Sequence, residues 1–491
     1  SGFQRTALVA LSGALPDGCR IETICLEEEA AQRVENETFS LDRLGIPLVE
    51  ITTAPDMHTP EAVGEVAEYI GMVLRSTGRV KRGLGTIRQD VNISIAGGAR
   101  VEIKGVQELA LIAEVVRREV ERQTNLLAIR DELRERGATV DHTVVDVTAL
   151  FAETKSAILK KAKAILAVRL CGFAGLVGRE IQPGRRLGSE MSDYAKKCGV
   201  GGIFHTDELP AYGVTADEVD RLRSFVGAEE NDCVVIVAAG RDRAGCATEQ
   251  VMIRAEMALS GVPEETRKML EEGSTAYMRP LPGAARMYPE TDVFSVAIGA
   301  DRWNAIAVPE LLTDRAARFV REFGLDEALA RQVAFSERLP TFEAAVAAGV
   351  RPTLAARTLL ATCRELARDG VAVDRVTEEE ILALLSAVEA GRAAKEAIPD
   401  LLIELARTAG SPGTPGERVD AAIAKMAPTV SMADVEAIVR RIVAEREAFA
   451  REKGMGALGP LMGVVMQEVR GSVDGKVISE ILRRELNDLL S

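Results

Sequence analysis

Arg88, Asp90, Asn92, Glu102 and Lys104 lie within one stretch, GTIRQDVNISIAGGARVEIKG, that reads as a strand, a glycine turn and a second strand over residues 85–105. Side chains alternate along a strand, so Ile87, Val91, Ile93 and Ile95 take one face while Arg88, Asp90, Asn92 and Ser94 take the other. Val101 and Ile103 alternate with Glu102 and Lys104 in the same way. An odd loop around Gly97 and Gly98 keeps the faces matched and sets Ser94 opposite Glu102 and Asn92 opposite Lys104. One face then gathers carboxylates, an amide, an arginine and a lysine, a set that suits a divalent cation and phosphate groups. A half-exposed hairpin with a solvated face would show the same alternation. Two further acidic features stand upstream. Glu27, Glu28 and Glu29 are adjacent and repel one another, which hard-oxygen coordination of a cation would relieve. Glu50 interrupts the apolar run Pro47, Leu48, Val49, Ile51, where a carboxylate must be exposed, paired or bound to a metal.

These residues need elements to place them. Residues 7–13 and 20–26 read as short strands, the second running into the three glutamates. Thr59, Pro60 and Glu61 supply an N-cap, a first-turn proline and a first-turn acid for a helix to about Arg75, ended by Gly78. A long charged helix over 106–137 carries Leu109, Ile112, Val115, Val116 and Val120 at helical spacing. From about Asp146 the chain turns to short β-rich runs, ILAVRL and NDCVVIVAA, with a helix at 215–226 opened by a Thr215/Glu218 capping box. Arg179, Arg185 and Arg186 form a local basic cluster in a glycine-containing loop, and His205 reads as a structural histidine because no second His or Cys lies at metal spacing. Residues 309–425 are helical throughout, SPGTPG at 411–416 is the best linker, and a capped helix opens at Ser431 and runs to about Ala450. Glycines at 454, 456, 459 and 463 permit close backbone approach.

Composition bounds the function classes. A chain of 491 residues exceeds one core and suggests about three domains. Aromatics make up 4%, which argues against base stacking as the main mode of nucleic-acid binding. The net charge of −14 opposes long-range attraction to a polyanion, so RNA contact must come from local Arg and Lys clusters. Seven scattered cysteines without a C-x-x-C pair read as reduced thiols of a cytoplasmic protein. No signal peptide or membrane-spanning run appears. The opening SGFQRTALVALSG is already strand-like, as if the chain began inside a domain.

LDRLGIPLVEITTAPDM at 41–57, GTIRQDVNIS and VEIKG, in that order, resemble the cradle of the B and E subunits of tRNA-dependent amidotransferases. The resemblance implies that Glu27 and Glu50 bind magnesium with Glu28 beside them. It also implies that Arg88, Asp90, Asn92, Glu102 and Lys104 line the same pocket. STAYMRPLPGAARMYPETDV at 274–293 resembles the family's return strand, adding Arg279, Arg286, Glu290 and Asp292, with arginines able to fork onto phosphate oxygens. The family's N-terminal Glu-Ile-His motif and zinc-type cysteines are not in this sequence.

The resemblance implies an α+β multidomain fold with these divisions: a mainly antiparallel cradle at 1–145, an α/β insertion like that of aspartyl-tRNA synthetases at 146–267, a cradle return at 268–308, a helical domain at 309–425 and a YqeY-like tail at 426–491. Among these proteins the insertion marks the archaeal E type rather than the B type. The implied activity uses ATP and Mg to phosphorylate the glutamate of misacylated Glu-tRNA(Gln), then admits ammonia from an asparaginase-like glutaminase D subunit in an assembly of two D and two E subunits. In this picture Arg88, Lys104 and Arg286 meet phosphate or nucleotide, Asp90 and Glu102 organise them, and Arg279 joins the reacting groups. The alternatives are a non-catalytic adapter for tRNA(Gln), or the related B-type subunit.

Overall fold

The computed structural model describes residues 6–281 apart from 30, 36, 82 and 84, and then 296–426, 432–469 and 475–490. Arg286, Glu290, Asp292 and the expected cap Ser431 lie outside the described residues. The chain divides into two compact units, Ser1–Ala307 and Val308–Ser491.

The first unit opens with β1 (Thr6–Ala14) and β2 (Arg20–Glu28), then a small hairpin of β3 (Gln32–Glu35) and β4 (Thr38–Ser40), then β5 (Pro47–Thr53). β1, β2 and β5 form an antiparallel sheet with β2 in the middle. α1 (Pro60–Ser76) starts where the capping signal placed it, with Thr59 Oγ1 accepting from Ala62 N at 3.2 Å. The central hairpin is β6 (Val91–Ile93) and β7 (Val101–Lys104), shorter than the alternation suggested, so Arg88 precedes the strand. Its faces are as expected, but its register is offset by two residues: Asn92 pairs with Glu102, and Val91 with Ile103. The reversal is centred at Gly97, whose φ of 75° suits glycine, with Gly98 N bonded to Ile95 O.

α2 (Leu109–Glu135) then serves two cores. Its first half, through Ile112, Val115 and Val116, packs on Val91, Ile93, Val101 and Ile103 of the hairpin. Its second half, through Leu126, Ile129 and Leu133, enters the core of the following insertion. A rise of 1.5 Å per residue makes this helix roughly 40 Å long, enough to span both.

The insertion contains β8 (Thr139–Val140), β9 (Val145–Asp146), β10 (Ala164–Cys171), β11 (Glu180–Gln182), β12 (Arg185–Arg186), α3 (Leu187–Lys196), β13 (Phe204–His205), α4 (Ala216–Phe225), β14 (Cys233–Ala239) and α5 (Arg241–Ser260). β10 and β14 pair antiparallel at the centre of one sheet and are covered on both faces, which explains their continuous apolar runs. α4 carries the full Thr215/Glu218 capping box. Cys198 and Cys246 form a disulfide, correcting the expectation of reduced thiols for these two; they are 48 residues apart, which spacing rules do not reach.

The chain returns through β15 (Glu265–Met269) and β16 (Thr275–Pro280), which complete a four-stranded sheet in the order β16-β15-β7-β6. β15 runs parallel to β7, so the cradle is not wholly antiparallel. A fully buried ion network ties insertion to cradle. Glu190 of α3 accepts from Arg122 of α2 at 2.8 Å, Arg254 of α5 at 2.5 Å and Arg267 of β15 at 2.9 Å. Glu119 and Glu265 hold the other faces of Arg122 and Arg267. Beside it, Tyr194 of α3 donates to Glu265 at 2.9 Å and stacks on Tyr277 of β16 at 3.8 Å.

The second unit is helical among its described residues. Phe319, Phe342, Leu384 and Leu402 are buried in its first part, and the Thr377/Glu380 cap is formed. Its last helices, Met432–Glu445, Glu447–Lys453, Leu458–Val469 and Gly475–Leu490, share a core of Val435, Val439, Ile442, Leu461, Ile478 and Leu482. The expected continuous helix breaks at Arg446. Among the described residues no atom lies within 4 Å of where a Cβ of Gly456, Gly459 or Gly463 would stand, so these glycines make no close helix contact there.

Candidate active site

Lys104 stands at the centre of the polar face of the hairpin. Its Nζ lies 2.5 Å from Asp90 Oδ2 and 2.9 Å from Glu102 Oε1. The two-residue register offset is what makes this possible, because it brings Asp90 rather than Asn92 beside the lysine. A row of side chains crosses the sheet one strand at a time: Asn92 pairs with Glu102, Glu102 with Thr266, and Thr266 with Arg279. Thr266 Oγ1 donates to Glu102 Oε2 at 2.9 Å, fixing the carboxylate oxygen that Lys104 leaves free. Among the described residues the buried Nε of Arg279 has no hydrogen-bond partner, and the charge of Arg279 favours the ionised form of Glu102.

Glu27 and Glu50 reach this region from the other sheet. Cys25 pairs with Glu50 and Glu27 with Leu48, so both glutamates take the same sheet face as diagonal neighbours, roughly 7 Å apart. Thr6 Oγ1 donates to Glu27 Oε1 at 2.8 Å. Glu28 follows Glu27 on the strand and takes the opposite face.

Electrostatics join the two sheets. The Glu50 carboxyl is pushed above the ordinary glutamate range, first by loss of hydration against the sheet, then by Glu27 and Asp90, with Lys104 opposing and Glu102 adding to the rise. Burial acts to lower the Lys104 ammonium, but its bonds to Asp90 and Glu102 outweigh this and hold it above the usual lysine value. Burial acts to raise Glu102, yet the bonds from Lys104 and Thr266 hold it below the usual range. Glu27, Asp90 and Glu102 therefore all act on the Glu50 carboxyl, with Lys104 opposing them. Glu27 and Glu50 share the sheet face from which a hard divalent cation could be held, and such an ion would relieve the repulsion at Glu50.

Comparison with known proteins decides the family. Residues 2–304 match the GatB/GatE catalytic domain, and residues 340–486 match the GatB domain. The chain belongs to the GatB/GatE family. Among its relatives, the E subunit of the glutamyl-tRNA(Gln) amidotransferase of Methanospirillum hungatei is 62% identical over 490 residues, covering 100% of this chain and 78% of the relative. The protein of the same name from Methanosarcina barkeri is 53% identical, and that from Archaeoglobus fulgidus 50% identical, each over 100% of this chain and 79% of its own length.

Within this GatB/GatE chain the remaining candidates fall as follows. Arg88 forms an ion pair with Glu29 at 2.9 Å, which turns the last of the three glutamates toward the residues preceding the hairpin. In the insertion, Arg179 pairs with Glu132 at 2.7 Å and Arg185 with Asp193, while Arg186 is exposed. Sequence reasoning missed Thr6, Thr266 and Glu29 as holding groups. A threonine directly across a strand from an acid is the signal for the first two, legible only once the strand pairing is known.

Proposed function

We propose that this chain is the subunit of a glutamyl-tRNA(Gln) amidotransferase that activates the glutamate carried by the tRNA. The observation that supports it best is Lys104 held between Asp90 and Glu102, with Glu27, Asp90 and Glu102 acting on the Glu50 carboxyl, in a chain 62% identical to a protein named for that amidotransferase. A carboxylate resists attack by ammonia because oxide would have to leave. Phosphoryl transfer from ATP makes phosphate the leaving group: the carboxylate oxygen bonds to the γ-phosphorus and ADP departs. Magnesium, when bound, supplies positive charge that screens the triphosphate from the incoming carboxylate.

Glu27 and Glu50 would hold that ion from one sheet face, with Thr6 fixing the orientation of Glu27. Lys104, kept charged and aimed by Asp90 and Glu102, stabilises phosphate oxygens as negative charge shifts toward the leaving group. Arg279, at the far end of the Glu102–Thr266 row, offers a guanidinium with an unused donor for the same purpose. Ammonia then bonds to the acyl carbon, phosphate leaves and a proton is released, with the glutaminase D subunit as the ammonia source. Exclusion of water at this step prevents hydrolysis.

The test is to incubate the chain with ATP, magnesium and Glu-tRNA(Gln), with and without an asparaginase-like glutaminase. ADP release dependent on the charged tRNA, and Gln-tRNA(Gln) formed from glutamine only with the partner, is the expected result. ATP turnover indifferent to the charged tRNA contradicts the reading.

A further inference from the structure

β13 is two residues long, but its pairing with β14 continues past its end. Phe204 faces Ile236 and His205 faces Val235, and Thr206 N donates to Val234 O at 3.0 Å. The same antiparallel register sets Asp207 beside Cys233. By strand alternation His205, Asp207 and Cys233 share one face, the face turned toward α3 and α5. A ring nitrogen of His205, a carboxylate oxygen of Asp207 and the sulfur of Cys233 lie within 4.8 Å of one another. His205 and Cys233 are 3% and 0% exposed, while Asp207 is half-buried.

Three details distinguish this group from a chance meeting of core residues. Glu208 holds His205 Nε2 at 3.1 Å, whereas His205 Nδ1 is buried with no hydrogen-bond partner. A carboxylate on one imidazole nitrogen is the usual outer support of a metal-binding histidine. Gly178 N donates to Asp207 Oδ2 at 3.0 Å, orienting the acid. The approach is also tight: a Cβ on Gly188 would stand 2.8 Å from His205 Nε2, and one on Gly178 would stand 3.1 Å from Asp207 Cβ. His205 and Glu208 also line a cavity of about 400 Å³.

We propose that His205, Asp207 and Cys233 form a binding site for a zinc-class divalent cation, separate from the cradle. Nitrogen, oxygen and sulfur donors together select such an ion over magnesium, which takes oxygen. A thiolate and a carboxylate balance the charge of the cation and the imidazole stays neutral, so the buried ensemble carries no net charge. The thiol proton passes to solvent on binding, and three protein ligands leave a fourth position for water. The expectation of a purely structural His205 rested on linear spacing; Cys233 comes from a strand 28 residues further on.

The probe is cobalt(II), titrated into the full chain in the presence of a phosphine reductant. One equivalent per chain should give a near-ultraviolet thiolate-to-cobalt band that zinc displaces. Cys25 shares a strand face with Glu50 in the cradle, so the band must persist in Cys25→Ala and vanish in Cys233→Ala. Asp207→Asn, at a half-exposed position, should lower affinity even if Cys233→Ala does not fold. Glu208→Gln, acting only through His205, should weaken binding by about tenfold. No thiolate band in the unmodified chain overturns the site, as does a band that survives Cys233→Ala or an affinity unmoved by Asp207→Asn.

Discussion

Replacing Glu190 by Gln should strongly destabilise the first unit. Glu190 accepts from three guanidinium groups, on Arg122, Arg254 and Arg267, and every partner is 0% exposed. The amide keeps the shape but removes the negative charge and turns an NH2 toward an arginine. Breaking a buried ion pair from one side costs about 3–5 kcal/mol. For a unit spanning Ser1–Ala307 that corresponds to a fall in Tm of roughly 5–8 °C. The pH dependence identifies the cause. Burial would raise the Glu190 carboxyl, but Arg122, Arg267 and Arg254 outweigh it and hold the group well below the ordinary value of 4.5. Its contribution is therefore complete above that value and is lost as pH falls through the depressed one. Differential scanning calorimetry across pH should show the largest gap between the two proteins near neutrality, shrinking in acid. A Tm change under about 2 °C, or a gap that does not vary with pH, refutes the reasoning.

Three further outcomes are expected. Lys104→Met frees Asp90 and Glu102 from their shared partner, so kcat for amide formation should fall about a hundredfold while KM for the charged tRNA stays nearly constant; steady-state kinetics separates the two. Gly98→Ala places a Cβ 2.3 Å from the buried Gln123 Oε1 and 2.9 Å from Ile95 Cγ1, so these side chains or the turn must shift, and denaturant unfolding should show a loss of about 1–3 kcal/mol. Glu50 is raised above the ordinary glutamate range, so magnesium affinity measured by calorimetry should decline as pH falls through that raised value, earlier than for a usual carboxylate, and Glu50→Gln should abolish this step.

Local features were legible in the sequence because they are written in neighbouring residues. The Thr59 and Thr215 caps, the β-rich runs that become β10 and β14, and the polar face holding Asp90, Glu102 and Lys104 need only short-range periodicity. The hairpin register was less so, since two adjacent glycines left the point of reversal open and the positive φ falls at Gly97. Distant convergence left no trace. Glu119 and Arg122 read as part of a charged helix, yet they lie at 0% exposure because Glu190, Glu265 and Arg267 arrive from elements far along the chain. The Cys198–Cys246 disulfide and the His205, Asp207 and Cys233 group are invisible for the same reason. The family resemblance pointed to Arg279 without any knowledge of strand pairing, and the sheet register sets it in line with Glu102.

Glu27 and Glu50 are proposed to serve the activation step rather than the grip on RNA. Transfer of labelled phosphate from ATP to Glu-tRNA(Gln) by Glu50→Gln, compared with the unmodified chain at equal tRNA occupancy, tests it most directly. The variant should give no labelled acyl phosphate while retaining tRNA affinity; transfer at the unmodified rate would rule out a role for Glu50 in activation.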